Sequence, residues 1–240
     1  MVRAVDQLRA DGARMMLLAP RDLTRAVPAC PGWDVREVMR HTGSVYTHKI
    51  ACMRLGRRAL DGEWPREPAP GEDVVLWYGA ALEGLIAEIT SRDLGQTTFT
   101  WYEPDQTVGF WLHRMMLETV VHRMDVESPF GETTGVAHDV ASEGIDEVLR
   151  CFLCYRNIEP DAEGPWGSVR IASAGGEWWV RLAEDSPSMA ENIGADATVQ
   201  GEPADVFAWL WGRGPLDRLR TDGDPALVTA LRRRLARATD

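Results

Sequence analysis

Apolar residues recur at helical spacing through the first 150 or so residues of the chain. Val5, Leu8, Met15, Leu17 and Leu18 predict a helix over residues 3–18, with Gly12 as a weak point. After a loop at 19–33 that holds three prolines and a glycine, Asp34 and Glu37 form a capping-box pattern. The helix they open is expected to run to about Gly56. Residues 61–71, rich in Pro, Gly and charge, form the next loop. Val75, Leu76, Leu82, Leu85, Ile86 and Ile89 then place an inward face on a third helix over 72–90. A loop at 91–106 contains Phe99-Thr-Trp-Tyr102, a candidate extended piece. A fourth helix is expected over 107–127 and a fifth over 138–157. Four or five antiparallel helices joined by short-to-medium loops make a bundle.

The period then changes. Ser168–Ala172 and Glu177–Leu182 alternate as half-buried strands around Ala174-Gly-Gly176, a hairpin signal. Ala197–Gln200 and Leu216–Leu219 read as further short strands, and 203–213 and 226–236 as helices, the first with Pro203 in its opening turn. The chain is therefore expected to be a two-domain α+β protein. A helical bundle would occupy 1–160 and a small α+β domain 161–240, joined through the Pro/Gly-containing stretch at 159–165.

Composition narrows the function classes. With 240 residues and 45% hydrophobic content the chain can fill a core. No apolar run approaches the ~18 residues that span a bilayer. The N-terminus lacks an apolar signal core, so a cytoplasmic location is expected by default. The net charge is −11 and there is no basic run, which argues against nucleic acid or an anionic membrane as partner. Lys49 is the only lysine among 26 cations. Cys151 and Cys154 match C-x-x-C, yet they sit in an apparent helix with no partner pair, and are read as core thiols.

The candidate chemistry centres on Glu118 and His122. Four residues apart on a helix, they differ by about 40° around the axis and project from one face. His41 or His48, seven residues apart and within about 20° of one stripe, can add a third ligand from the second helix. They are ~10 Å apart along the axis, so one ion takes one of them. His113 should face elsewhere, and His138 reads as a cap or surface residue. Asp125 is placed to receive the second ring N–H of His122, or to pair with an arginine on the surface. Two imidazoles and a carboxylate suit zinc, and also fit iron or nickel. The alternative is structural: Glu118 as the partner of an arginine, and His122 as a hydrogen-bonded histidine between helices.

Two stretches carry a resemblance. Val27-Pro-Ala-Cys-Pro-Gly-Trp-Asp-Val-Arg-Glu-Val-Met-Arg-His41-Thr-Gly43 and Glu118-Thr-Val-Val-His122-Arg-Met-Asp-Val-Glu127 resemble the mycothiol-dependent maleylpyruvate isomerase family, within the wider DinB-like proteins. Residues 197–213, ending Trp-Leu-Trp-Gly-Arg213, resemble its sterol-carrier-like second domain. The resemblance implies a DinB-like four-helix bundle and a divalent metal, zinc foremost, held by His41, Glu118 and His122. It also implies mycothiol as a low-molecular-weight thiol whose metal-bound thiolate is the nucleophile, in cis-trans isomerisation or S-transfer on a small-molecule substrate. Arg213 would then receive a substrate carboxylate, while its position equally suits an arginine at a helix C-terminus. Tryptophans 33, 101, 111, 209 and 211 are candidates for a pocket lining, most of them core. Two departures from the family pattern are Thr42, where a leucine is usual, and Met124, where a tryptophan is usual. A thiol-independent metal hydrolase and a non-catalytic binding or regulatory protein are the competing readings, and a monomer or homodimer is expected.

Overall fold

Three of the helices begin where a side chain takes up one or two of their first backbone N–H groups. Asp34 accepts from the Glu37 N–H at 2.8 Å and opens α2 (Val35–Leu55). Asp73 accepts from Val75 and Leu76 and opens α3 (Val74–Thr90), and Thr107 accepts from Phe110 and opens α4 (Val108–Glu127). Each such cap contributes about 1 kcal/mol. α1 (Val2–Leu18) precedes them. Gly56 ends α2 with a φ of 65°, and its N–H returns to the Cys52 carbonyl.

The computed structural model describes residues 1–156, 163–191 and 194–239. They divide into two compact units, Met1–Thr134 and Gly135–Asp240. In the first, α2 packs on α3 and α4, and α1 packs on α4 and α3. Leu8, Met15, Met39, Tyr46, Leu85, Ile89 and Leu112 are its buried centre. Gly43 of α2 makes room for a side chain of α3: a Cβ there would lie 2.3 Å from the Trp77 ring. Gly43→Ala is therefore expected to destabilise the protein by about 1–3 kcal/mol, the usual range for overpacking, read as a lowered urea midpoint at unchanged slope.

The second unit begins with α5 (His138–Glu147), which continues as a wider π-helix through Val148–Arg156. The sequence placed this helix in the bundle and the junction at 160/161. In the structure Val140, Ala141, Ile145, Val148 and Leu149 are buried as the helix packs on α6 (Pro203–Leu210) and α7 (Pro225–Thr239). An apolar stripe states only that a helix is covered, not by what. Residues 157–162, where most of the linker was expected, lie outside the described residues.

The sheet has the order β3-β2-β1-β4-β5. The hairpin of β1 (Gly167–Ser173) and β2 (Gly176–Leu182) matches expectation, with Ser173 opposite Gly176. β4 (Ala197–Gln200) lies parallel to β1. The two edges were missed. β3 (Ser188–Ala190) was not foreseen, and the strand expected at 216–219 is instead a 3₁₀ turn at Leu216–Arg218 followed by β5 (Arg220–Gly223). All four β5 residues are exposed, so no alternation marks them. Their pairing with β4 defines the strand. Gly212, at φ 74°, ends α6 earlier than the expected 213. No helix among the described residues is long and apolar enough to cross a membrane.

Candidate metal centre

α4 brings Glu118 and His122 together by its own geometry, and α2 delivers His41 from across the packed face. Glu118 Oε1 lies 3.3 Å from His122 Nε2 and 3.5 Å from His41 Nε2. One ligand atom from each residue falls within 4.8 Å of the others. Two ligand atoms at ~2.1 Å from a tetrahedral ion would be about 3.4 Å apart, close to both Glu118 distances, so the three residues could hold one metal ion.

The surroundings hold each ligand in a defined orientation. His122 Nδ1 lies 2.9 Å from Asp125 Oδ2, which leaves Nε2 turned toward Glu118. Asp125 is fully buried, and the same oxygen accepts a 3.5 Å hydrogen bond from the Cys30 thiol. Arg114, one turn before Glu118, donates to its other oxygen, Oε2. Trp33 stands over the pair of imidazoles, its ring centroid 4.8 Å from His41 and 6.3 Å from His122. Burial works to raise the Glu118 pKa, but Arg114 and His122 outweigh it and hold the carboxyl well below the usual carboxylate range. Burial works to lower the His122 pKa, yet Glu118 and Asp125 push the ring up to about 9. The site is thus built around a buried anion that stabilises positive charge, which is what a divalent cation requires.

The other candidates fall elsewhere. His113 is exposed, and His138 pairs with Glu202 on the surface. His48 stays on α2 outside the trio, its ring 4.5 Å from Trp64 and its Nδ1 3.0 Å from Lys49 Nζ. Trp111 is buried and donates to the Phe99 carbonyl at 2.8 Å, while Trp209 and Trp211 are buried in the second unit. Arg213 follows α6 and donates to the Trp211 carbonyl at 2.6 Å. Cys151 is buried, and burial pushes the Cys154 thiol up to about 12, consistent with thiols of the core. The role of Arg114 was missed in the sequence, although its i, i+4 spacing to Glu118 was there to read. Trp33 was a candidate pocket lining, while Cys30 carried no such local signal, because a loop brings it in.

Burial and Lys49 push the His48 pKa down to about 4. An unfolded chain takes up a proton at this residue near pH 6.5 that the folded chain refuses. The contribution is therefore a stability loss as pH falls from about 6.5 to about 4. His48→Gln should flatten that part of the stability profile, and the His48 ring signals in an NMR titration should stay those of neutral imidazole at pH 5.

With the fold and the trio described, relatives can be compared. The model of the mycothiol maleylpyruvate isomerase N-terminal domain matches residues 4–127, and that of the family's C-terminal domain matches 139–230. The chain belongs to the mycothiol maleylpyruvate isomerase family. Its family is one of enzymes. The first domain match contains His41, Glu118 and His122, and the second contains Arg213. Crystal structures of the mycothiol-dependent maleylpyruvate isomerase and of its histidine-to-alanine mutant each superpose with a TM-score of 0.64. Each covers 93% of this chain and 94% of that one at 10% identity, a likeness of fold. A weaker similarity, 27% over 94 residues, links the chain to Chitoporin of Vibrio furnissii. It spans 39% of this chain and 24% of that protein, about a quarter of its length. Of the two departures from the family pattern, Thr42 is fully buried with its hydroxyl on the Val38 carbonyl at 2.8 Å, and Met124 is half-buried.

Proposed function

We propose that this protein is a metal-dependent, mycothiol-using enzyme that acts on a small electrophilic substrate, by cis-trans isomerisation of the maleylpyruvate type or by S-transfer. The observation that carries the reading is the cluster of His41, Glu118 and His122, with Glu118 Oε1 3.5 and 3.3 Å from the two imidazole Nε2 atoms. Three protein ligands with an open position are the pattern of a catalytic rather than a structural zinc site. A divalent cation there supplies Lewis acidity that lowers the pKa of an incoming thiol and keeps it as the thiolate.

The chain's own residues do the rest. Asp125 fixes the His122 ring, Arg114 fixes the Glu118 carboxylate, and the Trp33 ring packs beside the two imidazoles. In the isomerase version a thiolate sulfur adds to the substrate double bond and the electron pair moves onto the adjacent carbonyl. The carbon–carbon bond, now single, rotates. The pair then returns and expels the thiolate, so nothing is consumed. We assign to Arg213 the binding of a substrate carboxylate, on the family resemblance and on the bidentate geometry of a guanidinium.

The test is turnover of maleylpyruvate, followed by absorbance, with metal and mycothiol varied independently. Activity should require both. S-transfer would appear instead as a stable thioether product with a reactive electrophile. Turnover of any substrate that needs the metal and ignores the thiol would replace this reading with a hydrolase.

A further inference from the structure

Away from the metal ligands, the outer face of the helical unit carries an apolar groove of about 350 Å³ between α1 and α3. The two helices run antiparallel. Arg9 lies 3.5 Å from Glu83 at one end, and Met16 of α1 lies against Gly79 of α3 further along. A Cβ at Gly79 would fall 2.6 Å from Met16 Cε, so the missing side chain is what lets Met16 lie across the groove. On α1, Arg9, Ala13 and Leu17 follow one stripe at i, i+4 and i+8; on α3, Leu76, Ala80 and Glu83 follow another at i, i+4 and i+7. Leu17 is 68% exposed and Leu76 70%. Charged residues make up 26% of the chain, yet the groove lining holds one cation, Arg9, and one carboxylate, Glu83, and these pair with each other.

The groove is complementary to itself, level by level. Leucines stand at one end, small residues in the middle and opposite charges at the other end. A two-fold axis laid along the groove sets α1 of one copy opposite α3 of the other at equal height. Leu17 then meets Leu76 of the second copy, and Arg9 meets Glu83 of the second copy. Ala13 meets Ala80 of the second copy between them, where small side chains let helices pack at about 8–10 Å. Turning the second copy end for end would set leucines against charges. Two chains of −11 repel each other at long range, and a face that sums to zero is where that repulsion is least opposed to contact. We propose that the α1–α3 groove is a homodimer interface, occupied by a second copy of this chain on a two-fold axis along it. Such a contact is isologous, each residue meeting the counterpart of its own partner.

Sedimentation equilibrium of the full-length protein at low ionic strength tests this. The weight-average mass should climb with concentration from 26.7 kDa toward twice that value. Leu76→Glu should weaken association at least about 100-fold at unchanged far-UV circular dichroism, because it places unpaired carboxylates inside an apolar contact and alters only an exposed position of the single copy. Arg9→Glu makes the charged level wholly acidic, and Glu83→Arg makes it wholly basic. Each alone should associate at least about tenfold more weakly than the parent. Mixed one to one, the two variants should form a hetero-pair that neither can match alone, since each carboxylate then faces a guanidinium across the axis. That rescue separates this interface from a dimer formed elsewhere on the chain. A mass of one chain at every concentration overturns the proposal and leaves the groove to a different occupant. So does a Leu76→Glu protein that associates like the parent, or a mixture that associates no better than its components.

Discussion

Glu118→Ala is expected to abolish stoichiometric metal binding while leaving the helical content unchanged. Two effects combine. The site loses the oxygen that faces both imidazoles, at 3.3 and 3.5 Å. It also loses the anion that accompanies the Arg114 guanidinium, whose side chain is only 5% exposed. A cation would then enter a site already carrying a buried positive charge. Removing one partner of a buried pair costs about 3–5 kcal/mol, which is roughly two to four orders of magnitude in affinity. His41→Ala and His122→Ala remove a ligand without that second penalty and should retain weaker binding. Asp125→Asn keeps all three ligands and disturbs only the orientation of His122, so a loss of about 10–100-fold is expected. Elemental analysis after dialysis, and competition with a chromophoric chelator, measure all four. Stoichiometric metal surviving in the three ligand variants would remove the site.

Arg123→Ala is the second large effect, and it acts on the fold. The Arg123 side chain is 1% exposed and lies between α1 and α4. Its Nε is 2.7 Å from Asp11 Oδ1, and its Nη1 donates to Glu127 Oε2 at 2.6 Å and to the Thr134 carbonyl at 2.9 Å. Glu127 also accepts from Arg14 at 2.9 Å and from the Thr134 N–H at 3.0 Å. Truncation leaves Asp11 buried beside Glu127 with no guanidinium between them. A loss of about 3–5 kcal/mol is expected, a large share of the 5–15 kcal/mol that holds a typical domain folded. Burial already raises the Asp11 pKa in spite of Arg123. Without the arginine the folded state should take up a proton there that the unfolded chain does not. The defect should therefore shrink as pH falls, since stability then rises toward low pH. Replacing Asp11 as well, Asp11→Leu with Arg123→Met, should be milder than Arg123→Ala, because Asp11 is then not left as a buried charge and Glu127 keeps Arg14. Urea unfolding at two pH values decides it. A double variant as unstable as the single one would show that packing, not charge, sets the loss.

Much of this was legible beforehand wherever the determinant is local. The Asp34 cap, the five helices and the β1–β2 hairpin follow from neighbouring residues, and so does the shared face of Glu118 and His122. The edge strands were not legible, because Arg220-Thr-Asp-Gly223 presents no buried side and is a strand only through β4. Nor was the partnership of the fifth helix, whose apolar stripe fits any covering surface.

By itself, the sequence determined the helix periods, the pair on α4 and, through its motifs, the family. Two histidines of α2 were left on nearly the same stripe, and the resemblance favoured His41 over His48. Only the tertiary structure decided what surrounds that pair. Side chains far apart in the chain, Cys30 and Trp33 from one loop and His41 from α2, reach it because α2 packs against α4. Periodicity records which way a side chain points from its own helix; which charges it meets depends on the packing of distant segments.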